Sequence, residues 1–160
     1  SLTLCAHASI DGWSKTKWGM QPNEVRELLK TLPDLEVGLT SESRSVPTAK
    51  TKIGNYEYEL MFIFDESVGL IEVQMKFSSK SSHILGYHEI EALLVKKYGE
   101  YTDHYDDKHD GWKTSRSNTT LWNLDGMVIE MQFLKIDDLS VDTVIHFKSP
   151  TTVKKETIFL

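Results

Sequence analysis

A single cysteine, Cys5, rules out an internal disulfide, so the fold must stand on packing alone. No stretch approaches the roughly 20 consecutive apolar residues that a membrane-spanning helix needs. Lysine and arginine are scattered, apart from the pairs Lys96-Lys97 and Lys154-Lys155, and the formal net charge is -6. Binding to nucleic acid or anionic lipid through a general field is therefore disfavoured, because the phosphate term rewards clustered cations. A Ser-His-Asp set can be assembled on paper from the many serines and histidines, but no nucleophile elbow or strained glycine turn supports one.

What remains is an ordinary globular composition, 39% hydrophobic and 26% charged in 160 residues, enough for one domain with a single core. Ser1 to Ala8 is an apolar run ending in Ala6-His7-Ala8, small residues one apart, the pattern that signal peptidase accepts. Residues 1-8 are read as a signal-peptide remnant with cleavage before Ser9, and 9-160 as a single α+β domain. A lipid anchor at Cys5 is the competing reading of Leu2-Thr3-Leu4-Cys5, disfavoured because Leu4 is too bulky for the position before such a cysteine.

Periodicity predicts two helices. Pro22 suits a first helical position, Glu24 the first turn, and Val25, Leu28, Leu29 and Leu32 make an apolar stripe that Pro33 ends. The second runs from about Leu85 to Tyr98, with Ile90, Leu93, Leu94 and Tyr98 on one face and Gly99 as the stop. Alternation predicts strands over Thr48 to Ile53, Tyr56 to Phe64, Ile71 to Phe77, Trp112 to Leu124, Met127 to Ile136 and Val141 to Phe147. Asp103 to Gly111 reads as an acidic, histidine-containing loop. The expected architecture is two helices packed on one face of an antiparallel sheet of about six strands, in the order helix-strand-strand-strand repeated twice. Two similar halves, about 16-80 and 85-148, follow from matches such as Glu24 with Glu89 and Leu28 with Leu93, and of Ile71 with Ile129 among the strands.

Three stretches carry a resemblance: Lys17-Trp18-Gly19-Met20 leading into Pro22-Asn23-Glu24-Val25, the Tyr58 to Phe64 strand with its Asp65 to Gly69 turn, and the helix end Leu93 to Gly99. Together the chain resembles a group of uncharacterised exported bacterial proteins, similar in fold to beta-lactamase inhibitor proteins and to the small outer-membrane assembly lipoprotein. The resemblance implies a periplasmic or secreted protein that binds another macromolecule. It departs from the inhibitors in having no disulfides and a charged rather than aromatic open sheet face, so the implication stops at fold and location.

Among candidate sites, His104, Asp106, His109 and Asp110 combine imidazole and carboxylate, the donors that suit a divalent metal. A spacing of five between the histidines and the lack of an intervening glutamate disfavour a zinc-protease arrangement, and Lys108 and Ser117 disfavour a calcium loop. His146 is expected to face water or a sheet edge. Trp18 and Trp122 are expected to fill the core, while Trp13 and Trp112, set among polar residues, are candidate binding anchors. Glu57, Glu59, Glu72 and Glu130 are expected on a wet sheet face that would suit a basic partner. The leading expectation is a non-enzymatic exported binding or assembly module acting through another protein, with no cofactor. The alternatives are a carrier of a small apolar ligand and a metal-dependent hydrolase using the 103-110 loop.

Overall fold

The computed structural model describes residues 12-33, 35-39, 47-53, 56-77, 84-111, 114-136 and 140-152. Trp112, Cys5 and the expected signal segment lie outside them, as does the end of the tail after Thr152.

Helix α1 covers Pro22–Lys30. The Glu24 carboxylate accepts the Gln21 backbone N–H at 2.7 Å, which satisfies an amide that the helix cannot. Val25 and Leu29 are fully buried on its inner side. Helix α2 covers Ile84–Tyr98. Gly99, at φ +88°, ends it with its N–H on the Val95 carbonyl at 2.8 Å. Its buried stripe is Tyr87, Ile90 and Leu94; Leu93, expected on that face, is 48% exposed. One residue is about 100° of helical turn, so Leu94 inside turns Leu93 toward the flank.

The strands are β1 (Glu36–Leu39), β2 (Pro47–Ile53), β3 (Tyr56–Asp65), β4 (Gly69–Phe77), β5 (Asp103–Asp110), β6 (Thr114–Leu124), β7 (Met127–Ile136) and β8 (Ser140–Lys148). They form one antiparallel sheet in the order β1-β2-β3-β4-β8-β7-β6-β5. The protein is thus α+β, as expected, but each helix is followed by four strands rather than three. The additional strands are the two at the sheet edges, β1 and β5. The expected 103-110 loop is β5, paired with β6 from Asp103↔Leu121 to Asp110↔Thr114. Its acidic sequence has poor β-propensity, and a neighbouring ladder supplies what propensity does not.

Each half is a meander of sequential hairpins, and the two last strands, β4 and β8, pair at the centre through Glu72↔Lys148, Val73↔Phe147, Gln74↔His146, Met75↔Ile145 and Lys76↔Val144. Strand β4 holds the place in its half that β8 holds in the other, so the Ile71–Ile129 match joins strands in unlike positions.

One face of the sheet carries the core: Leu60 and Phe62, Val73, Met75 and Phe77, Ile145 and Phe147, Ile129, Met131 and Phe133, with Trp122. Buried side chains of both helices belong to the same cluster, so both helices cover this face. Tyr87 meets Phe133 edge-on with ring centres 5.5 Å apart. Burial of this apolar surface is the dominant stabilising term.

Two indoles tie turns to this core. Trp122 donates to the Gly99 carbonyl at 2.9 Å, and Trp18 donates to the Gly126 carbonyl, in the β6–β7 turn, at 2.9 Å. Trp122 is fully buried; Trp18 is half-buried against the core. Next to Trp18, Gly19 N–H donates to the Leu70 carbonyl at 2.9 Å and Leu70 N–H to the Met20 carbonyl at 2.8 Å. This bridge brings Gly19 so close to Gly69 that a Cβ at Gly69 would lie 2.3 Å from the Gly19 oxygen. Gly69 also has φ +89°. Gly99 shares a positive φ but has nothing within 4 Å of its Cβ position. Gly99→Ala should therefore cost about 1 kcal/mol, the left-handed backbone alone, whereas Gly69→Ala should cost at least about 2 kcal/mol more through the clash. Urea midpoints of the two variants check this; equal losses would mean that the Gly19–Gly69 approach is slack.

Candidate functional site

Among the described residues nothing covers the face opposite the helices, and the strand register lays its residues in rows. One row runs Asp103–Leu121–Glu130–His146–Gln74–Met61 from β5 to β3. The next runs Tyr105–Thr119–Gln132–Val144–Lys76–Glu59. On the other side, Val128, Lys148, Glu72 and Ile63 are in line.

Polar side chains hold the centre. His146 Nδ1 and Glu72 Oε1 are 2.7 Å apart, and Gln74 Nε2 donates to the same oxygen at 3.4 Å. Lys148 Nζ lies 3.6 Å from Glu130 Oε2, while Gln132 donates to Glu130 Oε1. His146, expected at water or an edge, is only 19% exposed because it sits mid-sheet between Gln74 and Glu130. Glu72 is buried rather than wet. Burial alone would push its carboxyl up, but the bonded His146 ring, the Lys148 ammonium and the Gln74 amide outweigh burial and hold it below the ordinary carboxylate value.

Apolar groups are scattered over the same face. Six large hydrophobic side chains are exposed among the described residues, and three of them, Met61, Tyr105 and Leu134, fall on the open face. Among the described residues the six carboxylate positions Glu57, Glu59, Glu72, Glu130, Asp103 and Asp107 outnumber the four lysine positions 50, 52, 76 and 148 on the same face.

Of the residues expected at a site, Glu72 and Glu130 are brought together around His146 and Lys148. Glu57 and Glu59 lie on the same face nearer its β2 side and are exposed. Trp13 is not an exposed anchor: it is half-buried, meets Phe62 edge-on at 6.1 Å and packs on the core. Its neighbour Thr16 explains the turn, donating to the Trp13 carbonyl through both N–H and hydroxyl. Trp112 and the side chains of His109 and Asp110 are outside the description. His104 and Asp106 do approach, with Nε2 3.3 Å from Oδ1. No group of three or more potential metal ligands occurs among the described residues.

A second polar cluster lies on the helix-covered side, where α2 crosses β6. The Thr120 hydroxyl, fully buried, is 2.7 Å from the Tyr87 hydroxyl, 2.8 Å from His104 Nδ1 and donates to Glu91 Oε2 at 2.8 Å. Burial, with the Glu91 and Asp106 charges nearby, outweighs the Thr120 bond and pushes the Tyr87 phenol up to about 12. Threonine and tyrosine at these positions carried no signal in the sequence, because their convergence depends on the α2–β6 contact.

No family model, no curated protein and no solved structure matches this chain. Its function must be read from its own surfaces. No helix of the described residues is long and apolar enough to cross a membrane.

Glu72 ionises more readily folded than unfolded, so its contribution to stability is present above the ordinary glutamate value and is lost as pH falls through the lower, folded value. Glu72→Gln should flatten the acid side of the stability curve, measured as urea midpoints from roughly pH 7 to pH 3. A variant curve as steep as that of the unaltered protein would show that the central pair contributes nothing to the acid response.

Proposed function

We propose that the protein is a non-enzymatic, exported binding module that holds another protein against the open face of its sheet. The observation that carries this reading is a sheet face that no described helix covers and that exposes Met61, Leu134 and Tyr105 on β3, β7 and β5, on either side of the Glu72–His146 network. Exposed large apolar groups beside orientable polar groups are what an interface uses to exclude water and to select its partner. The excess of carboxylates on this face favours a partner with a basic contact surface, because complementary charge speeds encounter and rejects acidic competitors. Export rests on the Ala6-His7-Ala8 pattern alone and would place the protein in the periplasm or outside the cell.

The central network makes a poor catalytic centre and a good recognition surface. Its carboxylates are already bonded, Glu72 to His146 and Glu130 to Lys148, so each arrives at an interface with part of its desolvation cost offset. Chemistry at the 103-110 segment finds no support, since the segment is an edge strand with His104 engaged by Thr120.

The test uses the mature protein as bait on a periplasmic extract, with a photo-crosslinker introduced at Lys76, which lies on the open face. Met61→Asp and Leu134→Asp should each weaken capture of the crosslinked partner about tenfold, while Leu93→Asp, exposed on α2, leaves it unchanged. Rising salt should weaken capture in the unaltered protein. Capture that survives both open-face substitutions, or that Leu93→Asp abolishes, would remove this face as the binding surface.

A further inference from the structure

The sheet has two outer strands, β1 and β5, and they are protected differently. Half of the backbone N–H and C=O groups of an outer strand point away from the sheet, which makes it a template for another chain. Folded proteins blunt such edges by keeping them short, by breaking them with proline or a bulge, or by setting charge on them. Strand β1 is short, with four residues. Strand β5 has eight, contains no proline, and keeps an unshifted register with β6 from Asp103↔Leu121 to Asp110↔Thr114. Among the described residues no strand lies on its outer side. Charge is the one blunting device it carries.

That charge is mostly of one sign, four aspartates against one lysine. A second copy laid antiparallel along β5 and centred on Tyr105 would set Asp103 opposite Asp107, and like charges facing across a ladder repel. The edge is thus guarded against its own kind. It is not guarded against a strand of opposite sign, which the same carboxylates attract.

Side chains alternate across a strand, so Asp103, Tyr105 and Asp107 line the open-face side of this edge, in register with Leu121, Thr119 and Ser117 of β6. All three are exposed, Tyr105 to 49%. Asp103 Oδ1 accepts the His104 backbone N–H at 2.9 Å, which fixes that carboxylate at the start of the strand. A chain entering beside β5 therefore meets carboxylate, aromatic ring and carboxylate at every second residue.

We propose that β5 is a docking edge for an extended segment of a partner protein, which joins the sheet as an added strand and presents a basic, an apolar and a basic residue at alternate positions to Asp103, Tyr105 and Asp107. The backbone ladder supplies the attachment, and the order of side chains supplies the choice. This docking needs the outer backbone of β5 and neither Met61 nor Leu134, so it stands or falls separately from binding on the open face.

The probe is a capped peptide in which threonine alternates with lysine, valine and lysine, titrated to about 1 mM into the full chain and followed by NMR shifts and amide exchange. Binding should shift the β5 amides and slow their exchange while β7 and β8 stay as they were. Methyl groups on alternate backbone nitrogens of the peptide separate strand pairing from mere charge attraction. In one set they replace the N–H groups that face β5 and should abolish binding; in the other they face solvent and should leave it unchanged. Asp103→Asn with Asp107→Asn should weaken binding about tenfold, the size of two exposed ion pairs, with exchange at β7 and β8 confirming that the variant is folded. Glu66→Gln, which removes an exposed carboxylate in the β3–β4 turn, should leave binding unchanged. With lysine at both 103 and 107, the chain should instead bind a peptide carrying glutamate in place of lysine. No shift at the β5 amides, equal behaviour of the two methylated sets, or a loss from Glu66→Gln equal to that from the aspartate pair would each overturn the proposal.

Discussion

The sheet is continuous because β4 and β8 pair, and everything else in the molecule depends on that joint. Each four-stranded meander with one helix would bury one side and leave a bare strand edge at β4 or β8. Bare edges recruit other chains, and small two-layer units bury too little apolar surface to be stable. Joining the edges removes two of the four, and places Val73, Met75, Ile145 and Phe147 in adjoining positions of one core.

The same joint explains the chemistry of the open face. Residues opposite the core at the sheet centre are surrounded by strands on both sides, so Glu72 and Lys148 lose water although no helix covers them. A charge in that position must be paired to be tolerated. Glu72 with His146 and Glu130 with Lys148 meet that demand across strand boundaries and in doing so cement β4, β8 and β7. Nearer the β1 and β5 edges, Glu57, Glu59 and Tyr105 remain exposed. The face thus grades from a fixed polar centre to an adaptable margin.

Much of the architecture was legible because it is written in periodicity. Tyr58 to Phe64 and Ile71 to Phe77 alternate cleanly, and Pro22, Asp125-Gly126 and Gly99 punctuate the chain where the structure does. What alternation could not reveal was β5, whose Asp, His and Lys residues are strand only because β6 lies alongside. Leu93 misled because the stripe that α2 buries is Tyr87, Ile90 and Leu94, which leaves Leu93 on its flank. Trp13 misled for the opposite reason: its polar neighbours suggest solvent, but the turn made by Thr16 folds the indole back onto Phe62. At the candidate site, Glu72 and Glu130 were legible as open-face residues, while their pairing with His146 and Lys148 depends on a register that no local pattern encodes. The Tyr87–Thr120–Glu91–His104 cluster was invisible for the same reason, since it gathers one helix and two strands.

Strand order has a further consequence in time. Neighbours within each meander are close in sequence and can zip as successive hairpins, whereas Glu72 and His146 are 74 residues apart. A chain emerging from the ribosome completes its first meander long before β8 exists. Over that interval β4 stands as an exposed edge, carrying Val73 and Met75 with no strand beside them. Late, long-range pairing of this kind slows folding and leaves the waiting edge open to wrong partners. Glu72 and Lys76 on that edge set charge beside the unpaired backbone, so the residues that later anchor the centre of the sheet first serve to keep a half-made protein soluble.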